Sequence, residues 1–152
     1  MMRRNDKKIH DKELIYSIIQ KAQVCRLALV SEDNPYIIPL NFGFKDNCLY
    51  IHSAPEGKKI DILKHNQKVC FEMDTDFKLI KAEKLCDYGA SYYSVIGFGN
   101  AEFIRKLEKK RLALNIIMNH YTDKEDFVFD EKMLKNTTII KIKIKKITGK
   151  QS

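Results

Sequence analysis

The chain has no tryptophan, three prolines, six glycines and four cysteines in 152 residues. Each shortage excludes something. Sparse proline and glycine exclude collagen-like and low-complexity chains. Cys25, Cys48, Cys70 and Cys86 lie 23, 22 and 16 residues apart, so no CxxC pair exists to build a structural zinc site. Cys25 and Cys70 fall within apolar strand-like runs, where a thiol acts as a small hydrophobe, and reduced thiols are expected. No apolar run approaches the roughly 18–20 residues that a membrane span needs. The opening MMRRNDKKIHDKE is too polar for the apolar part of a signal peptide. These absences predict a cytoplasmic protein without a membrane partner.

Hydrophobic residues make up 44% of the chain, as in globular proteins. One domain over residues 1–152 is expected, and a chain this size buries roughly 68–70% of its unfolded surface. The net charge is +8, but residues 132–152 hold seven lysines and no acid, which leaves +1 for the other 131 residues. In TIIKIKIKKI, Lys141, Lys143 and Lys145 alternate with Ile140, Ile142 and Ile144. That alternation predicts a strand with a core face and a solvated lysine face that also discourages edge association, rather than a stripe tracking nucleic-acid phosphates.

Periodicity predicts a helix over 11–22, with Asp11 as N-cap and Leu14, Ile15, Ile18, Ile19 and Ala22 on one face. VCRLALV, PYIIPLNFGF and CLYIHS follow, separated by the turn-forming SEDN and KDN, and read as an antiparallel meander. Pro39 marks an edge or bulge. A short helix over 58–65 and the strand VCFEM come next, then residues 74–91, read as a long connection. YYSVIGFGNAEFI reads as a strand whose Gly97 and Gly99 signal a bulge or close backbone approach. A helix over 107–121, with Leu114, Ile117, Met118 and Tyr121 on one stripe, and a turn at TDKED lead to the basic strand. About six strands and three helices predict a mainly β fold, a small barrel with flanking helices.

Most chemistry-bearing motifs are missing. EGKK does not complete a Walker loop, and GFGNAE lacks the third glycine and following helix of a dinucleotide fingerprint. There is no GxSxG or Cys–His signature for hydrolysis. His10, His65 and His120 have no partners at metal spacing, and the alternating Glu72, Asp74 and Asp76 read as an exposed strand face. No metal site is expected. The stretch IHSAPEGKKIDILKHN differs from these. Pro55 can open a helical turn, Gly57 lets backbone amides approach a ligand, and Lys58 and Lys59 occupy the first helical turn. Cations oppose the helix dipole there, which makes sense if an anion sits among them, with Ser53 as a further donor. A solvated helix start with outward lysines is the competing reading.

The order of these elements is specific. RLALVSEDNPYIIPLNFGFKDNCLYIHSAPEGKKIDILKHNQKVCFEMD, followed by SVIGFGNAEF, resembles the pyridoxamine-5′-phosphate-oxidase-like, FMN-binding split-barrel superfamily. Within it the chain is most similar to the nitroimidazole-resistance (Nim-type) flavoproteins, over roughly residues 9–149. The resemblance implies a split β-barrel with FMN at a homodimer interface. It places the FMN phosphate on Ser53, Lys58 and Lys59, with Gly57 allowing close approach. Pro39, Leu40 and Asn41 would line the isoalloxazine edge, His52 would sit between ring and phosphate, and Ser94 would approach the flavin, of its own chain or the partner's.

True pyridoxamine phosphate oxidases carry basic residues where this chain has Ile38 and Gly43, a tryptophan, and an arginine-bearing C-terminal motif. Without them, vitamin B6 oxidation is not expected. Nim-type relatives tend to have a basic residue at the position of Tyr93. The resulting expectation is an FMN-dependent oxidoreductase acting on nitroimidazole-like or other small planar electrophiles, with NADH or NADPH as candidate donor. His52 is the candidate proton donor, its competing role being to fix the strand end by hydrogen bonding. The alternatives are a flavin-sequestering protein without turnover and a basic nucleic-acid binder.

Overall fold

The computed structural model describes residues 4–124 and 127–152. Eight strands form one sheet: β1 (Lys8–Ile9), β2 (Cys25–Ser31), β3 (Asn34–Leu40), β4 (Gly43–Lys45), β5 (Cys48–Ser53), β6 (Lys68–Ile80), β7 (Gly89–Ile104) and β8 (Thr138–Gln151). Four helices flank it: α1 (Lys12–Lys21), α2 (Lys58–His65), α3 (Leu107–Tyr121) and α4 (Glu131–Asn136). The order across the sheet is β3-β2-β6-β7-β8-β5-β4, with β1 paired to the far end of β8. All described pairings are antiparallel.

The expected split β-barrel is corrected here. Among the described residues no ladder joins β3 to β4, so the sheet is open rather than closed into a barrel. The reason is legible in β3. Pro35 and Pro39 have no N–H, and residues four apart along a strand direct their backbone groups to the same side. That side of β3 keeps only the Ile37 N–H, between the two prolines, to carry a ladder further. Only Asn41 and Phe42 separate Leu40, on one outer strand, from Gly43 on the other. The mainly β class with flanking helices stands, but the meander holds only within β2–β3 and β4–β5.

The helices follow their periodicity. Asp11 caps α1 by accepting from the Glu13 N–H at 2.9 Å, and Ile15, Ile18, Ile19 and Ala22 are buried. On α3, Leu114 and Ile117 join Phe129, Leu134 and Ile139 in a second core cluster. The fourth helix, α4, is capped by Asp130, whose carboxylate accepts from the Met133 N–H at 2.7 Å. The expected turn at TDKED includes Glu125 and Asp126, which lie outside the described residues. None of the described helices is long and apolar enough to cross a membrane.

Residues 74–91 are not a loop. Residues 74–80 continue β6, Leu85–Asp87 make one turn of 3-10 helix, and Gly89 already begins β7. The result is a two-stranded ribbon exposing Phe77, Leu79, Ile80, Leu85 and Tyr88. A bulge between Thr75 and Lys78, with Asp76 at φ +56°, breaks the expected carboxylate row. Glu72 and Asp74 both accept from Arg26, whereas Asp76 faces Lys21.

β8 is central, between β7 and β5, so its lysines do not guard a sheet edge. Ile140, Ile142 and Ile144 are buried as expected, and Lys141 and Lys143 converge on Glu102 at 3.7 and 3.0 Å. The β7–β8 register shifts between Phe98 and Gly99, the bulge that the glycines signalled. At Gly97 an added Cβ would collide with the fully buried Phe71 ring. Gly97→Ala is expected to cost about 1–3 kcal/mol through overpacking. Thermal unfolding checks this; a midpoint equal to the parent's would contradict it.

Candidate functional site

The 54–57 turn carries the chain from the end of β5 into α2. His52 and Ser53 pair with Ile139 and Thr138 of β8, and strand alternation sends His52 to the exposed face while Ile51 is buried. Among the described residues His52 has no hydrogen-bond partner in the protein, unlike His65 and His120, whose rings each contact a backbone carbonyl. Pro55 stands ahead of the helix, which begins at Lys58.

Gly57 is the N-cap at φ +117°, a conformation that L side chains rarely adopt. An added Cβ there would meet nothing within 4 Å, so its demand is for backbone conformation, beside open space. No side chain caps the first amides of α2. Ile60, Ile62 and Leu63 anchor the helix in the core.

The two lysines, about 100° apart around the helix, differ in setting. Lys58 is exposed and holds its Nζ 4.6 Å from the centroid of Tyr36 on β3, a cation–π contact. Lys59 is half-buried, burial lowers its pKa, and among the described residues no carboxylate pairs with it. A desolvated ammonium beside uncapped amides and an open glycine turn fits an anionic group such as a flavin phosphate.

The Lys58–Tyr36 contact brings β3 beside this turn. Farther along β3, Pro39 is exposed, Leu40 half-buried, and Asn41 exposed in the crossing to β4. That crossing is held from the end of α3. The Phe42 N–H donates to Tyr121 Oη at 3.0 Å, and the Tyr121 hydroxyl donates to the Gln23 carbonyl at 3.0 Å. His120 packs 4.2 Å from the Phe42 ring, with its Nε2 2.7 Å from the Ala22 carbonyl oxygen. The Pro39–Asn41 backbone is thus tied to α3 and the end of α1.

Ser94 is not brought to the same place. It pairs with Lys150 of β8, whereas Ser53 pairs with Thr138. These partners are twelve residues apart on β8 (150 − 138), roughly 40 Å of extended strand. Tyr36 and Tyr121 were missed from sequence.

The family model described as pyridoxamine 5′-phosphate oxidase matches residues 11–151. The chain belongs to this family. Within the wider flavoprotein superfamily it is similar to the crystal structure of a candidate 5-nitroimidazole antibiotic resistance protein from Bacteroides thetaiotaomicron. The two are 39% identical with a TM-score of 0.86, over 95% of this chain and 86% of that one. A flavocytochrome from Azotobacter vinelandii has a TM-score of 0.87 at 19% identity, covering 100% of this chain and 72% of that one. An FAD- and heme-binding protein from Mycobacterium smegmatis has a TM-score of 0.87 at 20% identity, covering 96% and 73%. These last two share the fold alone. An uncharacterized Rhizobium meliloti protein is 32% identical over 66 residues, 43% of this chain and 43% of that relative. Membership supports a flavin-binding role of the oxidoreductase type.

Proposed function

We propose that this family member binds FMN with its phosphate at the Gly57–Lys59 turn and reduces small planar electrophiles of the nitro-aromatic kind. The observation that carries this reading is the half-buried Lys59 ammonium, without a carboxylate partner among the described residues, beside the uncapped start of α2. The 39% identity to a candidate nitroimidazole-resistance protein supports the substrate class.

Lys59 Nζ, the first amides of α2 and Ser53 Oγ would donate to the phosphate, and Lys58 would add charge from the Tyr36 side. The backbone of Pro39–Asn41 would meet the polar edge of the ring. Bound flavin supplies the electron transfer, from a reduced nicotinamide donor to the acceptor. His52, exposed at the end of β5, would act as the general acid that delivers a proton to the reduced acceptor.

Two observations support a second copy of the chain completing the site. Ser94 is separated from Ser53 by most of β8, so a role for Ser94 at the flavin suits the site of a partner. The apolar 77–88 ribbon and Ile37, which is 63% exposed, would gain cover in a homodimer.

The deciving measurement is the visible spectrum of the purified protein with added FMN or riboflavin, followed by bleaching with NADH or NADPH and reoxidation by a nitro-aromatic. Binding of FMN in preference to riboflavin, with turnover, is expected; binding without reoxidation would leave a flavin-sequestering protein. In sedimentation, FMN is expected to lower the concentration at which subunits separate. A monomer that binds FMN tightly at every concentration would overturn the shared site.

A further inference from the structure

A cleft lies beside Pro55, between α2 and the start of α3. Its volume is about 380 Å³, within the usual range for small-ligand pockets. Ile60, Phe103 and Ile104 supply its apolar wall, and Ile60 is buried in the core. The charged side chains lining it are Lys64, Arg105 and Lys110, and among the described residues no carboxylate lines it.

The three cations differ in how they are held. Lys110 is half-buried, and its Nζ donates to the Leu134 carbonyl at 2.8 Å and the Thr137 carbonyl at 2.6 Å. An ammonium has three donors, so one remains. Lys64 is exposed and makes a surface pair with Asp61 at 3.3 Å. Arg105 is exposed, and among the described residues no carboxylate pairs with it.

The sequence adds a second observation. Residues 105–111, RKLEKKR, place five cations and one acid at the start of α3. They repel one another and oppose the positive end of the helix dipole. The N-cap, Lys106, supplies no side-chain acceptor for the first amides. Of these five cations Arg105 and Lys110 line the cleft, where an anion would offset their charge, and the apolar wall would cover the rest of its molecule.

We propose that this cleft binds an organic phosphate, with the phosphate against Arg105 and Lys64 and a ring against Ile60, Phe103 and Ile104. The proposal goes beyond the flavin reading and does not require flavin to be bound. A guanidinium forks onto phosphate oxygens through two parallel hydrogen bonds, whereas the fixed Lys110 ammonium acts as a point charge.

Calorimetric titration of the full chain with AMP, adenosine and inorganic phosphate, at one fixed ionic strength, tests it. AMP is expected to bind more tightly than either fragment, because each fragment engages only one half of the cleft. Arg105→Ala is expected to weaken AMP by about tenfold or more, since the forked pair of charge-assisted hydrogen bonds is lost and its exposure discounts their worth. Arg105→Lys should restore part of that loss, and Lys143→Ala, on the exposed face of β8, should change nothing. Arg105 is exposed, so the unfolding midpoint and FMN uptake of Arg105→Ala should match the parent. AMP binding no tighter than phosphate, or unchanged in Arg105→Ala, would overturn the site. Loss of FMN uptake in Arg105→Ala, or displacement of AMP by FMN, would overturn its separateness from the flavin seat.

Discussion

Replacing Lys58 and Lys59 together by alanine is expected to weaken FMN binding by about 2–4 kcal/mol, roughly 30- to 900-fold, while leaving riboflavin binding unchanged. A charge-assisted hydrogen bond is worth about 1.5–3 kcal/mol, and the exposed Lys58 is discounted for solvent screening. Lys59→Ala alone should account for most of the loss. Its ammonium is half-buried without a carboxylate partner among the described residues, whereas Lys58 already rests on Tyr36. Burial lowers the pKa of Lys59, so the free protein releases that proton at a lower pH than an ordinary lysine would. FMN affinity should therefore decline as pH rises through that lowered pKa, and the decline should vanish in Lys59→Ala. Flavin fluorescence titrations with both flavins measure all of this. Equal weakening of FMN and riboflavin would remove the phosphate from these lysines.

His52→Ala is expected to retain FMN and slow reoxidation of the reduced flavin by a nitro-aromatic about 10²- to 10⁴-fold, the usual scale of general acid catalysis. His52 is exposed on β5 and without a protein hydrogen bond among the described residues, so its removal leaves no buried group unpaired. That setting favours proton delivery over the competing role of fixing the strand end. The unfolding midpoint should stay with the parent's. Stopped-flow reoxidation together with flavin affinity separates the two roles. An unchanged rate with collapsed flavin affinity would make His52 structural and water the proton source.

Local chemistry carried much of the fold. The bounds of α2 and α3 match their periodic stretches residue for residue, and Asp11 caps α1 as its side chain suggested. These signals are contained within a few turns of chain. The 74–91 stretch failed for the opposite reason. FKLIKAEKLCDYGA has no clean alternation, because a bulge at 75–78 resets the register and the ribbon is solvated on both faces. Its strands exist through pairing with each other, which a local reading does not see. The fourth helix, α4, spans only Glu131–Asn136, too short for periodicity to mark.

The candidate site divides the same way. Gly57 and the two lysines announce themselves by breaking local rules, a positive φ and cations at a helix start. By itself the sequence determined α1, α2 and α3, the glycine bulge at 97–99, the proline-marked outer strand and the basic turn, since each rests on neighbours in the chain. Only the tertiary structure decided that the sheet stays open, that the lysine strand is central, that Tyr36 meets Lys58 and Tyr121 holds the 41–42 crossing, and that Ser94 lies far along β8 from Ser53. Those facts depend on which distant strands pair and in what register, and that is settled by packing of the whole core rather than by any one segment.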